Sequence, residues 1–296
     1  MKHKTAMEDT VAKTIVVLCA DDFGFSQGTS KGIIELVEAG RLSAVGCMTT
    51  TQNFQHSGPI LKRFSGHIDI GLHFVLTDLS PLGIMPSLAP NGTLPPVAAL
   101  MKAAITHRLP LHEVSDELNC QIDTFVEVMG QLPDFIDGHH HVHQLPGIRD
   151  QVIEAAKSRF GASSPWLRAC NERPNVILKR AVSIGRALAI GWYGAAFRRR
   201  AWNADLRVNI GFSGVYDFSN CIPYYTLFDR FTDHLLPGAL VMCHPGRVDD
   251  ELRALDSLTD QREIELEYFL SPLFAALLEQ KNLRLGRLEH AAQSIT

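Results

Sequence analysis

Thr14 to Gly24 read TIVVLCADDFG, an apolar, β-branched run that ends in two adjacent carboxylates and a glycine. Such a run bounded by turn residues is a strand. Thr29 to Ala39, closed by Gly40, follows with helical spacing and a glycine stop. The same alternation recurs outward along the chain. Further strands are predicted at Ser43–Thr49, Ile68–His73, Asp134–Gly138, Trp166–Cys170, Leu206–Gly211, Ala239–Cys243 and Leu283–Leu288. Helices are predicted at Leu111–Met129 before Gly130, Ile148–Arg159 before Gly161, and Asp260–Gln280. Alternation of this kind means parallel strands joined by crossover helices, and about eight strands favour a closed or nearly closed α/β barrel over an open doubly wound sheet. No repeat of 20 to 50 residues and no GxGxxG fingerprint is present.

Two stretches interrupt the pattern. Residues 77–109, with Pro81, Pro86, Pro90, Asn91-Gly92 and Pro95-Pro96, form an excursion of the sort that walls a substrate site. Residues 171–205 carry Arg173, Lys179, Arg180, Arg186 and Arg198 to Arg200 against only Glu172 and Asp205. They read as a solvated basic helix face, with a surface for an anionic ligand as the alternative. The chain divides into an N-terminal extension over 1–13, one barrel domain over 14–290 bearing both insertions, and a tail over 291–296.

With 296 residues, 46% hydrophobic and 20% charged, the chain buries a full core, which excludes disordered, collagen-like and disulfide-stapled classes. Twenty-eight basic against 32 acidic residues give a net charge of −4, too balanced for a nucleic-acid partner. The six cysteines at 19, 47, 120, 170, 221 and 243 contain no CxxC pair and read as reduced and mostly buried. Glu8 and Asp9 stand where a signal peptide would need its apolar stretch, and no apolar run reaches the ~18 residues of a membrane span. A cytoplasmic location and a small-molecule partner follow; a homodimer is compatible with the sequence.

Ionisable residues gather where predicted strands end, which is where parallel barrels assemble their sites. Asp21 and Asp22 serve one site only if the strand stops there, since neighbours in a continuing strand face opposite ways. One would then bind a metal and the other take a proton; the alternative is a helix cap ahead of Thr29. His73 ends the strand Ile68–His73. Asp137-Gly138-His139-His140-His141-Val142-His143 places four histidines in five positions. If the chain stays extended, Asp137, His139, His141 and His143 share a side, a natural metal ligand with a carboxylate neighbour. Spacing leaves open whether His139 or His141 is the ligand. His244 closes the apolar strand before Pro245-Gly246.

One Asp and two His from three strand ends make a facial donor set with open coordination positions, hence catalysis. Such a set suits non-haem iron as well as hydrolytic zinc or magnesium. A second acid at Asp21 and a separate His244 favour hydrolysis, which needs a base for water and an acid for the leaving group.

ADDFGFSQG, IGLHFVLT, FIDGHHHVHQLP and MCHPG, in this order, closely resemble the YdjC/ChbG family of carbohydrate deacetylases, of the chitooligosaccharide type, over about residues 14–290. The resemblance implies a distorted TIM-like (β/α) barrel and removal of acetyl groups from an N-acetylated sugar. It implies one divalent metal ion, Mg2+ or Zn2+, held by Asp22, His73 and His139, with Asp21 as general base and His244 as general acid. On that basis Asp137 orients an imidazole or touches substrate. His141, His143, Phe74 and Arg168 are placed with it as substrate-contacting or ligand-supporting residues, and Trp166 joins Phe74 and Arg168 as a wall for the sugar. The Arg-rich 171–205 segment matches nothing in the resemblance. The competing readings are a metal-dependent hydrolase of another ester, such as a phosphoester, and a non-catalytic metal-binding protein.

Overall fold

The computed structural model describes residues 12–219 and 221–292, so most of the expected extension (1–11) and tail (293–296) lies outside the described residues. Eight strands are seen among them: β1 Thr14–Phe23, β2 Ala44–Cys47, β3 Asp69–Phe74, β4 Phe135–Gly138, β5 Trp166–Leu167, β6 Phe212–Ser213, β7 Leu240–Cys243 and β8 Leu283–Leu285. The helices are α1 Gln27–Glu38, α2 Gln52–Leu61, α3 Val97–Ile105, α4 Leu111–Met129, α5 Ile148–Ser158, α6 Pro174–Arg180, α7 Ile184–Asn203, α8 Tyr224–Phe231, α9 Asp250–Leu255, α10 Asp260–Leu270, α11 Pro272–Gln280 and α12 Leu288–Ala292.

All strand pairs are parallel, in the order β5-β4-β3-β2-β1-β7-β6, with β8 on the first residues of β1. Thr14–Val16 pair with β8 and Val17–Ala20 with β7. Nine of the ten residues of β1 are buried, which is why it reads as an uninterrupted apolar run. This is the mostly parallel α/β barrel architecture that the alternation predicted.

The predicted strand Leu206–Gly211 is replaced by a different device. The Leu167 N–H donates to Arg207 O at 2.9 Å, Val208 bridges Leu167, and Gly211 O accepts from Leu240 N–H at 2.9 Å. Between these points the Asn209 side-chain amide does the pairing: Oδ1 accepts from Ala169 N–H (2.7 Å) and Nδ2 donates to Ala169 O (3.0 Å). The segment therefore ties β5 to β7 across the gap in the sheet, with only Phe212–Ser213 in regular strand geometry.

The single helix predicted over Asp260–Gln280 is two. Pro272 has no N–H and forces Ser271 extended (φ −72°, ψ 158°), so α10 stops and α11 starts at the proline. Inside the 171–205 excursion, α6 and α7 use much of their basic charge on the protein itself. Arg180 bonds Phe212 O, Asp233 O and Glu172; Arg186 bonds Tyr216 O; Arg198 bonds Ile210 O and stacks over Trp202. The segment is a clasp as well as a basic face.

Below the site, Gly71 of β3 makes room for the Phe135 ring of β4, which a Cβ at residue 71 would meet at 2.4 Å. Phe135 in turn stacks on Trp166 at 4.4 Å.

Candidate metal centre and active site

The acid pair sits where β1 becomes irregular. Pairing with β2 slips between Ala20 and Phe23, and Asp22 adopts φ 67°. A left-handed residue inside a strand is a bulge that re-aims side chains. Both carboxylates thereby reach the barrel mouth although the strand runs on to Phe23. Gly24 (φ 93°) completes the turn in a space where a Cβ would lie 2.8 Å from Met48 O. The cap of α1 is Ser26, whose Oγ accepts from Thr29 N–H at 3.1 Å, so neither aspartate is spent as a cap.

Asp22 Oδ1 lies 3.3 Å from His73 Nε2 and 3.1 Å from His139 Nδ1. The three ligand atoms all fall within 4.8 Å of one another. Asp22 Oδ2 is bound instead by Arg262 at 2.8 Å, which leaves one carboxylate oxygen for the two imidazoles. Burial alone would raise the pKa of Asp22, but Arg262 and His139 hold it well below the ordinary range. Behind His73, Asp137 Oδ1 accepts from Nδ1 at 2.7 Å, fixing the tautomer that aims Nε2 at Asp22. Against the effect of burial, the charges of Asp137 and Asp21 push the His73 pKa up to about 10.

Asp21 is held on both oxygens by Arg168, at 2.6 Å each. Burial would raise its pKa; Arg168 overrides this and keeps the carboxyl ionised. Arg168, fully buried, also lies 2.5 Å from Asp137 Oδ2 and 2.9 Å from Cys19 Sγ. His244 Nε2 stands 4.0 Å from Asp21 Oδ2, and burial lowers its pKa. The three buried carboxylates Asp21, Asp22 and Asp137 thus face the two buried guanidiniums Arg168 and Arg262. The proton that these carboxylates hold on His73 completes the balance, and a cation at the three convergent N and O donors would take that proton's place.

The histidine cluster does not stay extended. After Gly138 the chain turns into a helical stretch, His139–Gln144, with His140 (φ 52°) and His141 (φ 58°) left-handed. Only His139 reaches the donor set. His141 turns away, its Nδ1 3.5 Å from Cys170 Sγ and its ring edge-on to Phe212. His143 is buried against Phe197, with Nε2 2.8 Å from Arg168 O. His140 stacks over His139 at 3.9 Å and meets Thr77 Oγ1 at 2.9 Å, which joins the 77–109 excursion to the rim of the site.

The proposed sugar wall needs correcting. Phe74 is fully buried and presents no face to a ligand. Trp166 is buried on Phe135 and donates to Asp69 at 3.2 Å. Arg168 is fully buried and spends its two terminal nitrogens on Asp21, Asp137 and Cys19. Sequence reasoning missed Arg262 and Glu265 on α10. Glu265 accepts from His244 N–H (2.7 Å), Tyr224 OH (3.2 Å) and Tyr216 OH. Charged residues three apart in an amphipathic helix read as its solvated side, so nothing in the pattern marked them.

Fold and site together define a parallel-stranded α/β barrel whose strand ends assemble a two-histidine, one-carboxylate donor set beside a second carboxylate and a further histidine. The family model described as YdjC-like protein matches residues 15–280, and the chain belongs to that family. Among its relatives is the chitooligosaccharide deacetylase of Serratia marcescens, 29% identical over 281 residues, covering 93% of this chain and 98% of that protein. The chitooligosaccharide deacetylase of Enterobacter sp. (strain 638) is 28% identical over 272 residues, covering 92% and 97%. The Proteus mirabilis protein of the same name is 38% identical over 145 residues, a match that spans about half of each: 49% of this chain and 56% of that one. In architecture the chain is similar to a putative cellobiose-phosphate cleavage protein of Enterococcus faecalis, with a TM-score of 0.71 and 21% identity over 94% of this chain and 99% of that one.

Proposed function

We propose that this protein is a metal-dependent deacetylase that hydrolyses the amide of an N-acetylated sugar or oligosaccharide and releases acetate. The observation that carries this reading is the convergence of Asp22 Oδ1, His73 Nε2 and His139 Nδ1 within 4.8 Å, with Asp21 alongside. The deacetylase names of the relatives support it. Two imidazole nitrogens and one carboxylate oxygen favour Zn2+ over Mg2+, which prefers oxygen ligands and keeps its waters. A divalent cation bound there supplies a Lewis acid for the scissile carbonyl and for the attacking water.

The chain's own groups then move the protons. Asp21, ionised by Arg168, takes a proton from the water as its oxygen forms the new bond to the acetyl carbon. His244 sits across from Asp21 Oδ2 and gives a proton to the sugar nitrogen as the C–N bond breaks. Asp137 holds the His73 ring and Arg262 holds Asp22, so the donors need no reorganisation on binding. Thr77 and His140 mark the rim where an acetylated carbohydrate enters.

All six cysteines are free and four are buried, which supports a reducing, cytoplasmic setting; no helix among the described residues is long and apolar enough to cross a membrane. The reading accommodates a homodimer, which sizing the purified protein would detect. The test is to incubate metal-analysed protein with a panel of acetylated mono- and oligosaccharides and to assay free acetate. Release that chelation abolishes and Zn2+ restores is expected. Stoichiometric metal with no acetate from any sugar would overturn the proposal in favour of another ester or a metal-storage role.

A further inference from the structure

His244 is the least anchored member of the site. Its Nδ1 has no hydrogen-bond partner among the described residues, its Nε2 is 4.0 Å from Asp21, and its ring is flanked edge-on by Phe218 at 5.2 Å. It also lies past the last residue of β7, where no ladder holds the backbone. Farther along this loop the Arg247 N–H is held by Gly28 O of α1 at 3.1 Å; nearest His244, two main-chain tethers run to α10. The His244 N–H donates to Glu265 Oε2 at 2.7 Å, and the Gly246 N–H donates to Arg262 O at 3.1 Å.

Glu265 is itself fully buried and gripped from its far side by the Tyr216 and Tyr224 hydroxyls. A carboxylate placed in apolar surroundings costs free energy unless each oxygen is satisfied, and here three donors from three chain segments converge on it. One turn earlier on the same helix, Arg262 binds Asp22. The helix α10 therefore connects the cation-binding carboxylate to the loop of the proposed acid by charge-assisted hydrogen bonds at both points.

We propose that Glu265 is a positioning residue for His244: its carboxylate fixes the backbone from which the imidazole is delivered to the departing nitrogen. This rests on the deacetylase reading above, with His244 as the acid. Glu265 bonds none of Asp22, His73 and His139, and its direct link to the proposed catalytic groups is the His244 N–H, so its effect on turnover should run through His244. A double-mutant cycle isolates that coupling.

The experiment measures kcat per bound cation, KM, and cation affinity for wild type, E265Q, H244N and H244N/E265Q. E265Q is expected to lower kcat by about 10- to 100-fold, the range typical of groups that orient a functional residue, with cation affinity and KM unchanged. In the H244N background the same substitution should change kcat by less than about twofold. If E265Q fails to fold, Y216F/Y224F removes two of the three donors and is expected to show a smaller loss with the same dependence on His244. Equal losses in both backgrounds, or none in either, would overturn the positioning role. Wild-type protein that releases no acetate would instead overturn the deacetylase reading.

Discussion

Arg168 donates to both oxygens of Asp21 at 2.6 Å and lies 2.5 Å from Asp137 Oδ2, so a single buried guanidinium is shared between the proposed base and the carboxylate behind His73. Breaking a buried pair by removing one partner leaves uncompensated charge, typically costing about 3–5 kcal/mol. Arg168→Met is expected to lower stability by that amount, read from the midpoint of urea unfolding. Asp21→Asn keeps the shape and leaves Arg168 paired with Asp137, while removing the proton-accepting charge. Its turnover should fall roughly 10²–10⁴-fold while cation stoichiometry stays at the wild-type value. Near-normal turnover in Asp21→Asn would refute the base assignment.

Asp137 and His73 give a prediction read in cation affinity. The 2.7 Å bond from His73 Nδ1 to Asp137 fixes which ring nitrogen faces Asp22. Carboxylates in this position usually contribute about 10–100-fold to metal affinity or activity. Asp137→Asn should weaken binding by that factor in a chelator competition, whereas His139→Ala should abolish it. Unchanged affinity in Asp137→Asn would mean that β3 alone orients the ring.

The strand ends were legible because chemistry and punctuation coincide there: an apolar run stops, a turn residue follows, and an Asp or His stands between. That is how Asp22, His73, His139 and His244 announce themselves. Their geometry was less legible. Both aspartates reach one site through a left-handed Asp22, and period-two reasoning cannot see a bulge. His141 left the expected face because the chain coils after Gly138. Arg262 and Glu265 were invisible since burial of a charged helix face depends on partners from distant segments, here Asp22 and the His244 loop. Asn209 replacing backbone pairing is likewise a tertiary fact that no local pattern encodes.

The 77–109 excursion is anchored by α4, and that anchorage is testable. Glu113 accepts from Ser87 and Leu88 N–H, and Glu117 from Leu82 and Gly83 N–H. Gln121, one turn on, bonds Glu117 and both backbone groups of Val75. These residues, spaced by four, replace the hydrogen bonds that a loop without secondary structure cannot make for itself. Glu117→Ala leaves buried donors unpaired, at about 1–3 kcal/mol. Limited proteolysis should then cut near the exposed Ile84 faster than in wild type. Because Thr77 touches His140 at the rim, KM should rise more than kcat falls. Unchanged proteolysis would show that the excursion is held elsewhere.

Glu265 also predicts how stability depends on pH. Burial pushes its pKa up to about 7 from the ordinary 4.5, even though Tyr216, the His244 N–H, Tyr224 and Arg262 all favour the ionised form. The folded protein therefore holds this proton more tightly than the unfolded chain does. Its contribution to stability is present in full below pH ~4.5 and is lost as pH rises through ~7. At about 1.4 kcal/mol per unit, the loss across that window amounts to roughly 3 kcal/mol. Glutamine does not titrate, so E265Q removes this slope and leaves every other group in place. The stability difference between wild type and E265Q, measured by urea unfolding at pH 5 and pH 8, should shift by about that amount against the wild type. A difference that stays constant would mean the carboxyl titrates as it does in water, and that its three donors offset the whole effect of burial.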